Sequence, residues 1–213
     1  MKFKIVSGGQ TGVDRAGLEA AIALGLPYGG WVPKGRIAED GIVPLKYAGM
    51  QEHTSSNYAV RTKANVRDSD ATLIIAPSLP LSRGTMLTLR TAERLHRPHH
   101  VACLEHANAM DETMHWLRSF QPIDRPFVIN IAGPRESGAP GMEKRATEFL
   151  LQLLSATQGS GGDCPRRFFA GSRHNLIFAE DWKFRGGNAA PRGYAGRGNF
   201  GIICEETRMS WDL

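Results

Sequence analysis

The sequence predicts an α/β protein built on a mainly parallel sheet with helices on both faces. Three observations carry this. Short apolar runs recur along the chain, stretches with helical spacing separate them, and a glycine-rich turn directly follows the first apolar run. Alternation of that kind makes each helix a crossover between parallel strands.

Phe3–Val6 reads as the first strand. Val13, Gly17, Ala20 and Leu24 then recur at helical spacing, with Leu18 and Ile22 on another face, so the first helix is covered on much of its circumference. Gly25 and Pro27 end it. From Pro27 to Ser56 the chain is rich in Gly, Pro and polar residues with little periodicity, and so long a connection in a compact domain is usually functional. Asn57–Arg67 reads as a helix and Ala71–Ala76 as a buried strand. Thr85–Leu95 is helical, Val101–Leu104 a strand, Met110–Phe120 a helix, Phe127–Ile131 a strand and Gly141–Ser155 an amphipathic helix.

After Ala156 the pattern changes: Thr157–Leu213 holds ten glycines and no sustained periodicity. The expected division is a ligand-binding domain over 1–156 and a Gly-rich, irregular extension over 157–213. A hydrophobic content of 41% suffices for a sizeable core in the first part. The net charge of +5 suits anionic partners, but no Lys/Arg block exceeds two residues, which argues against nucleic acid. The stretch Arg192–Gly201 superficially resembles Arg/Gly RNA-binding tails, and an irregular extension is the plainer reading. Cys103, Cys164 and Cys204 are far apart with no CxxC, so no disulfide framework or zinc site is expected and a cytoplasmic location fits. No window reads as a signal peptide or a membrane span.

In an open parallel sheet, ligands sit beyond the carboxyl ends of the strands. The first loop there is Gly8-Gly9-Gln10-Thr11-Gly12. Its glycines allow close backbone approach, and the helix N-terminus that follows favours an anion. It is one residue short of a P-loop, with Val13-Asp14 where Lys-Ser would stand, and it only half satisfies a dinucleotide fingerprint. Thr11 and Asp14 fit a capping box as well as ligand contact. Arg15 could meet a phosphate or a surface carboxylate.

The second stretch, Gly29–Gly41, places Lys34 and Arg36 around Gly35, two cations suited to an oxyanion. Glu39 and Asp40 follow, able to accept from a ring N–H or ribose, or to pair with neighbouring cations. Trp31 could stack on a planar ligand or fill the core. In the third, Arg61 and Asn65 share one helical face, as do Tyr58 and Thr62; such stripes are commonly solvated. Asp68-Ser69-Asp70 reads as a helix-ending turn rather than a metal site. The fourth loop, Pro77–Thr85, ends in Arg83-Gly84-Thr85 at a helix start, a second anion site beside the first. The fifth, Ala132–Gly141, carries Arg135 and Glu136 on an irregular turn. All five are expected at one edge of the sheet.

Taken together, S-G-G-Q-T-G-V-D-R-A, G-G-W-V-P-K-G-R-I-A-E-D-G, R-T-K-A-N-V-R-D-S-D, R-G-T and A-G-P-R-E-S resemble the molybdenum (molybdopterin) cofactor carriers of the circularly permuted YpsA group, within the SLOG superfamily. The resemblance covers roughly residues 3–155. It implies a Rossmann-like, doubly wound domain binding a nucleotide-like or pterin-phosphate ligand at these loops, with the molybdenum cofactor as cargo. It further implies a homo-oligomer, molybdoenzymes as recipients, and no catalytic residues. No cysteine falls in a matched motif, so thiolate ligation of molybdenum is not expected. Arg83 departs from the Gly-Gly-Thr pattern, where an extra cation would strengthen anion binding or occlude the pocket. The tail has no counterpart in that family.

The enzyme alternative is hydrolysis of nucleotide 5′-monophosphates, as in another branch of the superfamily. The chain lacks that branch's P-G-G-x-G-T-x-x-E signature: Thr88 stands where the glutamate would be. Glu39, Asp40 or Glu136 would have to serve at the sugar instead. A sensor of a nucleotide-derived signal needs the same pocket as a carrier, and sequence does not separate the two.

Overall fold

The computed structural model describes residues 2–121 and 124–158. These fall in one compact unit. The extension expected from residue 157 lies, beyond residue 158, outside the described residues.

The elements in order are β1 (Phe3–Val6), α1 (Val13–Ala23), β2 (Tyr28–Val32), β3 (Ile37–Ala38), β4 (Gly41–Ile42), β5 (Met50–Glu52), α2 (Tyr58–Arg67), β6 (Ala71–Ala76), α3 (Arg83–Arg94), β7 (His99–Cys103), α4 (Ala109–Arg118), β8 (Phe127–Ala132) and α5 (Met142–Gln158). Six strands form one parallel sheet in the order β5-β2-β1-β8-β6-β7, while β3 and β4 make a separate antiparallel hairpin. This is the doubly wound α/β architecture that the alternating pattern predicts. The span from Pro27 to Ser56, expected to be irregular, instead holds β2, β5 and the hairpin. Those strands are two to five residues long and contain Gly29, Gly30 and Gly41, too short and too glycine-rich for a period-2 signal.

The two faces of the sheet differ in chemistry. Phe3, Ile5, Leu73, Ile75, Ile129 and Ile131 join α1 and α5 in an apolar core that also takes in Leu150, Leu153 and Leu154. Their period-2 spacing on β1, β6 and β8 is what a half-apolar strand dictates. Alternate positions carry Thr72 and Asn130, paired in register and hydrogen-bonded at 3.3 Å. The helices α2 and α3 pack together in the second layer and bury Thr62, Asn65, Thr85, Thr88 and Thr91. A layer so rich in polar side chains leaves room and hydrogen-bonding groups for a ligand.

On α4 and β7, the His100 ring stacks on Trp116 with centroids 5.3 Å apart, and its Nε2 lies 3.1 Å from Thr113 Oγ1. The Thr113 hydroxyl already donates to the Ala109 carbonyl at 2.6 Å, so the ring nitrogen is the donor. Burial pushes the His100 pKa below its ordinary 6.5, helped by His99 and opposed by Glu112. The folded state then binds fewer protons than the unfolded chain, so stability rises with pH through that window and falls on acidification below 6.5. The melting temperature is expected to drop between pH 7.5 and 5.5, with His100→Phe lessening the drop. An identical pH profile in that variant would refute a stabilising neutral ring.

Candidate functional site

The strand order places β8 between β1 and β6, whose following loops depart in opposite directions toward α1 and α3. A crevice opens at such a switch point, and here it is a cleft of about 240 Å³ above the carboxyl end of β8. Its floor is Asn130 to Pro134. One wall is the start of α2, with Tyr58, Arg61, Thr62 and Asn65. The other is the start of α3, with Ser82, Gly84, Thr85 and Thr88, and Arg135 and Ser137 close the rim.

The α3 N-terminus is prepared for an anion. Ser82 caps it, its Oγ accepting from the Thr85 N–H, while the Arg83 and Gly84 N–H groups donate to no acceptor among the described residues. First-turn donors of this kind, aligned with the helix dipole, favour negative charge. Gly84 is open: an added Cβ would meet nothing within 4 Å. Arg83 is exposed and does not line the cleft, so it neither occludes it nor adds a cation to it.

Asp14 and Arg61 form a buried pair at the base of the cleft, Arg61 Nη1 donating to Asp14 Oδ2 at 3.2 Å. Asp14 Oδ2 also accepts from the Gln10 N–H. Burial pushes the Asp14 carboxyl above its ordinary range against the opposing pull of Arg61 and Arg135. Gly8 makes the pair sterically feasible, since an added Cβ would fall 1.4 Å from Arg61 Nη1. Asn65 serves the frame. Its Oδ1 accepts from the Trp31 N–H at 2.7 Å, and its Nδ2 donates to the Ser7 and Trp31 carbonyls, bridging β1 and β2 where they part.

The opening glycine turn, expected to cradle a phosphate, spends most of its N–H groups on contacts within the protein. Of its N–H groups Gly9 donates to Ser7 Oγ, Gln10 to Asp14, Gly12 to Glu143 Oε2 and, just past it, Val13 to the Pro134 carbonyl, while those of Gly8 and Thr11 donate to no acceptor among the described residues. The capping box is also absent, because α1 begins at Val13 with Gly12 as its N-cap, one residue past Thr11. The turn is a packing joint, and of its residues Gln10 and Asp14 reach the cleft.

Thr11, Arg15, Glu39, Asp40 and Glu136 gather in a neighbouring, shallower concavity. Arg15 pairs bidentately with Asp40 at 2.6 and 2.7 Å, the carboxylate reading left open by the sequence. Glu39 accepts from Thr11 and Ser137, which pins the hairpin to both loops. Glu136 accepts from the Gly141 and Glu143 N–H groups at the start of α5. Lys34, Gly35 and Arg36 line neither concavity. Arg36 donates to the Val43 and Pro44 carbonyls, closing its own loop, and the Gly35 N–H meets Glu52.

Two further expectations change. Trp31 donates to Asp68 and packs on His53, away from the cleft. The third stretch spans the molecule: Tyr58 and Arg61 reach the cleft, but Asp70 lies at the amino end of β6, paired with Arg125 and accepting from the Val128 N–H. Ser82, Thr88 and Asn130 line the cleft and were not among the expected site residues. Asn130 had a usable signal, an amide inside the otherwise apolar run F-V-I-N-I-A.

Among the described residues no helix is long and apolar enough to cross a membrane. The model of the circularly permutated YpsA SLOG family matches residues 5–154. A crystal structure from Syntrophus aciditrophicus SB, bearing the name "Putative molybdenum carrier protein", is 43% identical with a TM-score of 0.64, and the match covers 71% of this chain and 94% of that one. No curated protein matches.

Proposed function

This chain belongs to the circularly permuted YpsA SLOG family, and from that premise we propose that its cleft binds a phosphate-bearing small molecule, with the molybdenum cofactor (molybdopterin) as cargo. One observation carries the reading: across a single cleft, the open α3 N-terminus faces an Arg135 guanidinium that makes no hydrogen bond or ion pair among the described residues. Free N–H donors and an uncommitted cation are the inventory a phosphate requires. The molybdenum-carrier name of the similar crystal structure supports the pterin form of the ligand.

The donor set fits the phosphate end of that cargo. The Arg83 and Gly84 N–H groups supply the helix N-terminus, and Arg135 and Arg61 the charge. Cys103 is buried against the Pro77 carbonyl and does not line the cleft. Contacts to the cargo would therefore run through phosphate and ring, and the dithiolene would keep its own hold on the metal. As a carrier the protein would act as a homo-oligomer that hands its cargo to molybdoenzymes.

One observation favours a second reading, hydrolysis of a nucleoside 5′-monophosphate. Asp14 lines the cleft with a carboxyl that burial holds protonated to higher pH than an exposed aspartate, as a general acid would need.

Anaerobic thermal-shift measurements on the full chain separate the two. A ligand at a hundred times its dissociation constant stabilises by about 2.7 kcal/mol. The carrier reading expects this from molybdenum cofactor or molybdopterin recovered intact by chromatography. A nucleotide that stabilises and is recovered as free base would replace it with the hydrolase. Arg135→Gln is expected to weaken the stabilising ligand by about tenfold or more, the usual worth of a charge-assisted contact; unchanged affinity would remove Arg135 from the site.

A further inference from the structure

We infer that Tyr58 is a positioning residue that presents the Arg135 guanidinium to the anion, and does not itself stack on the ligand. The inference rests on the anion-cleft reading above.

Tyr58 is the first residue of α2, and that turn is fixed because the Asn57 side chain caps the Ala59 N–H at 2.9 Å. Arg135 comes from the rim, on the loop after β8. Its backbone is held where its carbonyl accepts from both Gly138 and Ala139, at 3.1 Å each. Both side chains line the cleft, and the Arg135 guanidinium carbon lies 4.7 Å from the centre of the Tyr58 ring.

The other arginine of the cleft is differently placed. Arg61 has Nη1 on Asp14, and its Nε is buried without a partner. Beyond the cleft, Arg15, Arg67 and Arg125 are each on a carboxylate and Arg36 is on carbonyls. Arg135 alone among these is oriented by an aromatic face. That distinction has a chemical consequence. A carboxylate would orient a guanidinium by occupying its N–H groups and cancelling its charge. A π face attracts the cation while leaving its five in-plane donors for another acceptor. A ring covered by a guanidinium is, by the same geometry, covered against a heterocycle on that side.

The cleft is therefore built to recognise the anionic group first, whichever planar body carries it. Phosphate-bearing and phosphate-free forms of one ligand should separate on Tyr58. Calorimetric titration of the full chain with inorganic phosphate, guanosine 5′-monophosphate and guanosine tests this, using Tyr58→Phe, Tyr58→Leu, Arg135→Gln and the double variant Tyr58→Leu/Arg135→Gln.

The expected result is that Tyr58→Phe stays within about twofold of the parent and Tyr58→Leu loses about fivefold for phosphate and the monophosphate, the worth of a half-exposed cation–π contact. Guanosine should be unaffected. The double variant should be no weaker than Arg135→Gln, because the ring acts only through the arginine. Melting curves confirm that each variant folds. Equal loss for guanosine and its monophosphate in Tyr58→Leu would overturn the inference in favour of base stacking. So would phosphate binding that depends on Arg135 but not on Tyr58, and in that case the anion cleft itself would stand. Absence of binding by phosphate and by the monophosphate in the parent protein would sink the cleft reading and this inference together.

Discussion

Replacing Asp14 with leucine is expected to destabilise the protein by about 3–5 kcal/mol, and replacing Arg61 with leucine by distinctly less. The pair is buried at the floor of the cleft, with side-chain exposures of 6% and 12%. Removing one partner leaves the other's charge uncompensated, but the two charges are not equivalent. A guanidinium does not give up its proton at any pH of interest, so Arg61 would stay charged in a site that already leaves its Nε unpartnered. Asp14 can take a proton, and burial already pushes it that way.

The pH dependence follows. A carboxyl whose folded pKa lies above the unfolded value binds more protons when folded, so stability falls as pH rises through the interval above 3.8. Without Arg61 that interval widens upward. Urea unfolding of Arg61→Leu should therefore lie closer to the parent at pH 5 than at pH 7.5, and Asp14→Leu should show no such recovery. The double replacement should regain part of the loss by removing both desolvated charges. Equal, pH-independent losses in the two single variants would mean that Asp14 tolerates burial as an anion unaided.

Gly12→Ala is the second large effect, about 3 kcal/mol or more, corresponding to a melting temperature lower by roughly 6–12 °C in a domain of this size. Gly12 has φ +75° and ψ −133°, a region that residues with a Cβ rarely adopt. The added carbon would also lie 2.5 Å from the Pro134 carbonyl oxygen and 2.8 Å from the Glu136 nitrogen, backbone atoms that cannot swing aside. The loop after β8 would have to retreat from the start of α1, carrying Arg135 with it, so binding and stability should fall together. Gly84→Ala is the control. It meets nothing within 4 Å and lies in a helix, so its melting temperature should be unchanged or slightly higher. A Gly12→Ala variant as stable as this control would refute the tight-joint account.

Several elements were legible because their signals are local. The helix expected over Asn57–Arg67 is found at Tyr58–Arg67, and β6 follows from six consecutive residues of buried type. The motif strings that mark the family were legible for the same reason, since each is a contiguous run. The hairpin and the short strands β2 and β5 were not. Runs of two to five residues carrying Gly29, Gly30 and Gly41 set no clear period, and β2 and β5 are paired with strands elsewhere in the chain.

The site shows the same boundary. The sequence by itself determined the alternation of strands and helices, the loops that carry charge, and the helix start near Gly84 and Thr85, because periodicity and turn chemistry act within a few residues. Which cation is free was decided only by tertiary structure. Arg15 meets Asp40 25 residues away, Arg61 meets Asp14 47 residues away, Arg36 turns onto its own loop, and Arg135 is left facing the cleft. An ionic partner is chosen by distance in space and by the desolvation it relieves, and neither can be read from spacing along the chain.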